Sequence, residues 1–340
     1  MKKLFLILVT TILLSCGSNN SITSHISDST IITDETATKF ANSIKASDLE
    51  KLLYEFASED FEGRETGELG QKKAAEYLKN FYIDKSIASP FGGSDYFQNI
   101  PTEHLTPNLK PSENVIAYIK GSEKPEEIVV ISAHYDHLGM YDTKIYYGAD
   151  DDGSGNVAIL EIAEAFQQAV LEGNNPKRSI LFLHVTGEEK GLLGSKYYTN
   201  FPIFPLENTI ANLNIDMIGR VDEAHINNPD FVYLIGSDKL SSELHTLSEE
   251  INTQFTQLDL DYTFNDENDP NRYYYRSDHY NFAKNNIPII FYFNGIHEDY
   301  HKPSDTPDKI NYELLEKRTK LIFYTAWEIV NREKRIMVDK

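Results

Sequence analysis

Cysteine is almost absent from this chain of 340 residues, in which Cys16 is the only example. A single cysteine excludes an internal disulfide, and it leaves the body of the chain without a thiolate that could act as nucleophile or metal ligand. Basic residues are also scarce, since 32 Lys and Arg stand against 53 Asp and Glu and give a formal net charge of −21. Such an acidic chain is a poor candidate for binding nucleic acid or an anionic membrane surface.

Long apolar runs are missing as well, apart from the eleven residues 4–14 near the start. That run is too short to span a bilayer, and it follows Lys2 and Lys3 in the manner of a signal sequence. It ends in Ser15-Cys16-Gly17, which resembles a bacterial lipoprotein signal. We therefore expect residues 1–15 to be a signal peptide and 16–39 a flexible tether. The protein would be exported to the cell envelope, on the periplasmic or outer-membrane face, and attached to the membrane only through lipid on Cys16.

From residue 40 onwards, short apolar segments alternate with segments of helical periodicity. Apolar runs of this length are typical of strands that are buried on both faces of a sheet. The predicted strands are Asn114–Ile119, Ile128–Ala133, Ile180–Val185, Ile210–Ile215, Phe231–Ile235 and Ile287–Phe293. The predicted helices are Glu50–Ala57, Gln71–Phe81, Asn156–Leu171, Leu240–Asn252 and Tyr312–Arg332. This alternation predicts one α/β domain over residues 40–340, a three-layer α/β/α sandwich with a mixed, mostly parallel sheet. The polar segment 259–275 is predicted to be a long loop.

Histidine and carboxylate side chains follow four of the predicted strands. They are His134 and Asp136, Glu188 and Glu189, Asp216, and a loop with His297, Asp299 and His301. Because ligands in open α/β sheets bind beyond the carboxyl ends of the strands, we expect these groups to converge. Imidazole and carboxylate groups are the ligands that zinc prefers.

Three aspartates stand together in GADDDGSG, residues 148–155, just before the helix that begins near Asn156. Adjacent carboxylates repel one another unless a cation or a helix N-terminus offsets their charge. We expect both compensations here, with capping by Asp152 or Ser154 and metal binding by a different residue.

Two pairs of neighbouring residues suggest divided roles. Side chains that are adjacent in extended chain point apart, so one of Glu188 and Glu189 can bind a metal while the other acts as a general base. His134 and Asp136 are two residues apart and leave an extended chain on the same side, so the carboxylate can orient the imidazole.

Together these motifs resemble the di-zinc aminopeptidases of metallopeptidase clan MH, whose relatives include glutamate carboxypeptidase, transferrin-receptor-like proteins and glutaminyl cyclases. The motifs are EGRETG (62–67), SAHYDHLG (132–139), GADDDGSG (148–155), TGEEKGLLGS (186–195), NIDMIG (214–219), SDH (277–279) and YHKPSDT (300–306). The resemblance covers most of the chain after about residue 50 and implies a zinc-exopeptidase-like fold. The interval between Phe81 and Asn114 is too short for the protease-associated domain of larger relatives, so a single catalytic domain is expected.

The resemblance also implies how two Zn²⁺ ions would be held. His134 and Asp216 would bind one ion, and Glu189 and His301 would bind the other. Asp151 would bridge both ions and precede a cis peptide bond. The charge of two Zn²⁺ would then be balanced by three carboxylates and a bridging hydroxide, as a buried site requires.

The remaining implied roles concern catalysis. Glu188 would be the general base that takes a proton from the metal-bridging water, and Asp136 would orient His134. His297 competes with His301 for the ligand position, and His301 is preferred because it heads the HKPSDT motif. Supporting roles near the ligands are expected for His137 and His279, and a packed position within a strand for His184.

The implied function is hydrolysis of peptides at a free N-terminus. A single-zinc glutaminyl cyclase and an inactive binding protein are alternatives, although the five ligands and Glu188 favour the peptidase. A carboxypeptidase or dipeptidase of the same fold also stays open. Such an enzyme would hold a substrate carboxylate with one of four loop arginines, namely Arg64, Arg220, Arg272 and Arg276. The patterns favour no particular oligomeric state.

Overall fold

A sheet of eight strands forms the centre of the computed structural model, which describes residues 35–340. The strands are β1 (Phe97–Ile100), β2 (Ser112–Ile119), β3 (Lys124–His134), β6 (Arg178–Val185), β7 (Thr209–Ile215), β8 (Phe231–Ile235), β9 (Asp259–Asp261) and β10 (Ile289–Phe293), and a separate hairpin joins β4 (Gly139–Tyr141) to β5 (Lys144–Tyr146). The order across the sheet is β1-β2-β6-β3-β7-β10-β8-β9.

The four central strands β6, β3, β7 and β10 are parallel to one another, and their outer neighbours β2 and β8 are antiparallel to them. Parallel strands end at the same edge of a sheet, so the loops that leave them emerge side by side. The register makes this specific, because His134 at the end of β3 pairs with Val185 at the end of β6. The predicted α/β fold with a mixed, mostly parallel sheet is therefore confirmed.

Eight helices of the described part cover the two faces of the sheet. They are α1 (Glu35–Ala41), α2 (Ala46–Phe56), α3 (Leu69–Asp84), α4 (Gly155–Leu171), α5 (Leu193–Asn200), α6 (Ser242–Ile251), α7 (His279–Ala283) and α8 (Tyr312–Asn331). Alternate strand residues face opposite cores: Val129 and Ile131 join the core under α4 and α8, while Ile128 and Val130 join the core with α5 and α7. Both faces of β3 are thus buried from Ile128 onwards, which explains the apolar run Ile128–Ile131.

The predicted strands and helices are all present, with ends shifted by a few residues. The sequence patterns missed β1, the hairpin and β9, which lies inside the predicted loop 259–275. These strands are three or four residues long, and β9 is the polar edge strand Asp-Leu-Asp. Short edge strands lack the continuous apolar run by which buried strands are recognised.

The predicted tether, residues 16–39, needs a correction at its C-terminal end. Helix α1 begins at Glu35 and buries Ala37, Phe40 and Ala41, and the ring of Phe40 stacks on Trp327 at 5.9 Å between centroids. The folded domain therefore includes Glu35 and does not start at residue 40. The predicted signal peptide, Cys16 and the rest of the tether lie outside the described residues. None of the described helices is both long and apolar enough to cross a membrane.

Candidate metal centre

The carboxyl edge of the central strands carries most of the predicted site residues. His134 ends β3, the Glu188-Glu189 loop follows β6, Asp216 follows β7, and the loop with His301 follows β10. The GADDDGSG segment adds Asp151 at the same edge, directly before α4. The expected convergence of these groups is therefore observed.

Asp151 lies between two imidazoles. His134 Nε2 is 3.1 Å from Asp151 Oδ1, and His301 Nε2 is 3.1 Å from Asp151 Oδ2. Asp216 Oδ1 is 3.6 Å from His134 Nε2. Ligand atoms of His134, Asp151 and Asp216 all lie within 4.8 Å of one another, close enough to hold one ion. Each oxygen of the Asp151 carboxylate thus lies 3.1 Å from the Nε2 atom of a different histidine.

Glu189 forms a second group on the other side of Asp151. Its Oε1 is 3.4 Å from His301 Nε2 and 3.1 Å from His137 Nδ1. His137, Asp151 and Glu189 likewise have ligand atoms within 4.8 Å of one another. Both ring nitrogens of His137, together with Asp151 Oδ2 and Glu189 Oε1, are buried without a hydrogen-bond partner in the described structure. Buried polar atoms in native proteins are normally satisfied, and three of these, His137 Nδ1, Asp151 Oδ2 and Glu189 Oε1, lie close enough together to share one ion.

His137 is the residue in this group whose position the sequence did not fix. Its place in the SAHYDHLG motif suggested only a supporting role, whereas the structure puts it in direct contact with Glu189. His279, for which a similar role was expected, is elsewhere: its Nε2 is 2.8 Å from the carbonyl oxygen of Tyr274, and its ring stacks on Phe291. His184 is packed inside β6 against Tyr82, as predicted.

The two adjacent glutamates have opposite electrostatic surroundings. Burial raises the pKa of Glu188 well above its usual range, and the nearby charge of Asp216 adds to the effect. Burial and Asp151 would also raise the pKa of Glu189, but its contacts with His137 and His301 lower that pKa to about 2. Glu188 also lines the open cavity of the site, while Glu189 is not among its lining residues.

The aspartate segment divides its tasks between residues. Asp152 Oδ1 accepts hydrogen bonds from the backbone N–H groups of Gly155 and Met217, both at 3.0 Å. Asp152 therefore caps the start of α4, as expected, while the neighbouring Asp151 faces the histidines. The peptide bond between them is cis, as the resemblance implies. A Cβ at Gly155 would lie 2.4 Å from the Asp152 carboxylate, which explains the glycine.

Asp305 supports this segment from behind, a role that sequence reasoning missed. Its Oδ2 accepts the backbone N–H groups of Asp150 and Asp151 at 3.0 and 3.2 Å. His297 also stands behind the segment, with its Nε2 3.2 Å from Asp150 Oδ2. His297 thus contacts Asp150 and His301 contacts Asp151. Asp305 belongs to the YHKPSDT motif, but only the fold shows that its carboxylate accepts hydrogen bonds from the amides of Asp150 and Asp151.

Asp136 orients His134 through a different atom from the one expected. His134 Nδ1 is 3.0 Å from the backbone carbonyl oxygen of Asp136 and 3.9 Å from its carboxylate. The carboxylate is engaged elsewhere, because it accepts hydrogen bonds from the Thr66 hydroxyl at 2.7 Å and the Glu188 amide at 3.1 Å. The carboxylate of Asp136 therefore ties the EGRETG segment to the loop of Glu188.

An open cavity adjoins these groups. One part of its wall consists of the metal-centre residues His134, Asp151, Glu188, Asp216 and His301. The rest is largely apolar or aromatic and consists of Met217, Tyr273, Arg276, Ser277, Phe291, Phe293, Ile296 and Tyr300. The arrangement can place a small organic group against the wall with one end at the carboxylates.

Known proteins share this sequence pattern and fold. A probable leucine aminopeptidase from Arthroderma otae is 30% identical over 213 residues, which cover 61% of this chain and 55% of the relative. The segments that match this chain cover between 8% and 55% of the length of four such curated relatives.

Solved structures share the fold. A zinc aminopeptidase from Bacillus subtilis superposes with a TM-score of 0.66 at 17% identity, covering 86% of this chain and 97% of that one. A glutaminyl cyclase from Porphyromonas gingivalis superposes with a TM-score of 0.63 at 18% identity, covering 83% and 98%. Residues 114–326, which include all five predicted ligands, match the sequence model of peptidase family M28. The chain belongs to peptidase family M28.

Proposed function

We propose that this protein is a zinc-dependent aminopeptidase, which removes the N-terminal residue from peptides with a free amine. The observation that carries the proposal is the position of Asp151, with His134 and His301 each 3.1 Å from one of its two carboxylate oxygens. A carboxylate flanked in this way can bridge two metal ions. The names of the relatives support the same activity.

The residues fit two zinc ions. His134 and Asp216 would hold one ion, Glu189 and His301 the other, and Asp151 both. Imidazole nitrogen and carboxylate oxygen are common zinc ligands. The buried oxygens Asp151 Oδ2 and Glu189 Oε1 accept no hydrogen bond in the described residues, and a cation would satisfy them. When bound, two zinc ions supply Lewis-acid polarisation of a carbonyl and lower the pKa of a coordinated water.

Glu188 would move the proton. Its carboxylate lines the cavity, and burial raises its pKa, so it can take a proton from the attacking water and pass it to the leaving amine. The carboxylate of Asp136 accepts hydrogen bonds from the backbone amide of Glu188 and from the Thr66 hydroxyl. Because the carbonyl oxygen of Asp136 also contacts His134 Nδ1, the base is fixed relative to His134. The apolar wall of the cavity would hold the first side chain of the peptide and exclude water.

Three measurements on the purified protein test the proposal. It should release p-nitroaniline from leucine p-nitroanilide but leave the N-acetylated substrate intact. A strong chelator should abolish this activity, and added Zn²⁺ should restore it. Failure to hydrolyse any free-amine substrate, together with cyclisation of an N-terminal glutamine peptide, would instead identify a glutaminyl cyclase.

We also propose that the protein is exported and anchored by lipid on Cys16, with residues 1–15 removed as a signal peptide. Support comes from the short apolar run and the Ser15-Cys16-Gly17 sequence. Wild-type protein should partition with membranes, and Cys16→Ser should lack the lipid. Mass spectrometry that finds an unmodified Cys16 in the mature protein would overturn this proposal.

A further inference from the structure

The cavity at the metal centre contains one feature that general peptide hydrolysis does not use. Among the residues that line it, Arg276 is the only lysine or arginine. The chain as a whole carries a formal net charge of −21, so a substrate carboxylate approaching this surface is repelled over most of its path. A guanidinium in this cavity attracts a carboxylate at short range, beside the carboxylates of Asp151, Glu188 and Asp216, whose charge bound zinc ions would offset.

Arg276 has no partner for its charge in residues 35–340. Within these residues its guanidinium makes no hydrogen bond and no ion pair. It lies over the ring of Tyr273, with its carbon Cζ 5.2 Å from the ring centroid. Stacking on a ring leaves the N–H groups at the edge of the guanidinium free, and those groups match the two oxygens of a carboxylate. The side chain is therefore positioned by Tyr273 and still able to bind.

The other three arginines considered for a carboxylate role either have hydrogen-bond or charge partners or lie outside this cavity. Arg64 is buried and donates to the backbone carbonyls of Tyr135 and Gly148 at 2.9 and 2.8 Å. Arg220 is paired with Asp299 at 3.0 Å. Arg272 is exposed and also without an ion pair, but it lines a neighbouring cavity with Tyr275 and does not line the cavity of the metal centre. Of the four loop arginines, only Arg276 both lines the cavity of the metal centre and lacks a charge partner in the described residues.

We infer that Arg276 binds a carboxylate of the substrate and makes the enzyme selective for peptides that present one next to the scissile bond. The inference rests on the proposed peptidase function and narrows its substrate class. Two parts of a peptide carry that chemistry: the side chain of an N-terminal Glu or Asp, and the C-terminal carboxylate of a dipeptide. Arg276 is exposed at the cavity wall, where either could reach it.

Matched substrates separate these sources. Glutamate p-nitroanilide and glutamine p-nitroanilide differ only in the side-chain carboxylate, and Leu-Gly and Leu-Gly amide differ only in the C-terminal one. We expect the wild type to prefer the carboxylate member of at least one pair. Arg276→Ala should reduce that preference, measured as the ratio of kcat/KM values, by about 10- to 100-fold, the usual scale for a hydrogen-bonded charge pair. The pair affected identifies the source.

Arg272→Ala is the matched control, because Arg272 stacks on a tyrosine in the same segment but outside this cavity. It should leave both ratios within about twofold of the wild type. Equal loss on the charged and neutral members of each pair in Arg276→Ala, or a wild type that favours both neutral members, would overturn the inference while leaving the peptidase intact. Lack of hydrolysis of all four substrates would instead remove the proposed function and the inference with it.

Discussion

Glu188 and Glu189 are neighbours in the chain, but their carboxylates belong to different parts of the site. Glu189 lies 3.1 Å from His137 and 3.4 Å from His301 in a buried group of potential ligands, whereas Glu188 lines the substrate cavity. The two residues lie in a turn after β6, where the amides of Gly191 and Leu192 donate to the carbonyl oxygen of Glu188. This turn, and not the extended chain expected from the sequence, separates a carboxylate that faces the histidines from one that faces the cavity.

Substitution by glutamine separates the two roles. Glu188→Gln should keep both metals and nearly normal substrate binding, and should lose about 10²- to 10⁴-fold in kcat, the usual scale for a general acid–base. Glu189→Gln should weaken the binding of one metal, with partial recovery at high zinc. Metal content and kcat of both variants at saturating zinc are the measurements. A Glu188→Gln protein that loses a metal, beside a metal-replete but slow Glu189→Gln protein, would reverse the assignment.

His137 provides a second prediction. Its ring nitrogens are buried without hydrogen bonds, and Nδ1 lies 3.1 Å from Glu189. His137→Ala should lower the affinity for the ion at Glu189 by about 10- to 100-fold, the range seen when groups that support metal ligands are removed. Zinc titration against a competing chelator measures this affinity. His104→Ala, at an exposed histidine packed on Tyr197, is the control and should bind zinc like the wild type. Unchanged affinity in His137→Ala would make the residue a packing element only.

Glu161, in the buried part of α4, predicts a pH dependence of stability. Burial and the neighbouring Glu164 and Asp48 raise its pKa from 4.5 to about 8. The folded protein therefore holds this proton more tightly than the unfolded chain, and the free energy of unfolding should fall as pH rises from about 4.5 to about 8. Glu161→Gln removes the titrating group, so relative to wild type it should gain about 1–3 kcal/mol by pH 9 and little at pH 5.

Urea unfolding of both proteins at pH 5 and pH 9 tests this, because the difference between the two proteins cancels effects that they share. Glu207→Gln, at an exposed position, serves as the control and should behave like the wild type. A constant difference between Glu161→Gln and wild type at the two pH values would show that Glu161 ionises normally in the folded protein.

The sequence predicted the ligand-bearing strands well because each is buried on both faces. In strand β3, for instance, the run Ile128–Ala133 is apolar except for Ser132 and leads directly to His134, so the carboxyl end of the strand was clear. The contacts of Asp136 and Asp305 could not be predicted in the same way. Asp136 accepts a hydrogen bond from Thr66, 70 residues away, and Asp305 receives amides 154 and 155 residues away. No local pattern encodes such pairings.

Helix α1 escaped prediction for a related reason. Its seven residues are too few to establish a helical period, and their stability depends on Phe40 reaching Trp327 in α8. Packing against distant elements, rather than local propensity, orders this segment. The same holds for β9, whose pairing with β8 places a polar strand at the edge of the sheet.

The number of zinc ions bound per folded chain tests the two-ion centre around Asp151 most directly. We expect about two ions per wild-type chain at saturating zinc, measured by elemental analysis after gel filtration, because the ligands fall into two groups that share this carboxylate. Asp151→Asn should lower the affinity for both ions, since each oxygen of Asp151 faces a different histidine. One tightly bound ion per wild-type chain at saturating zinc would contradict the two-ion centre and favour a single-zinc cyclase.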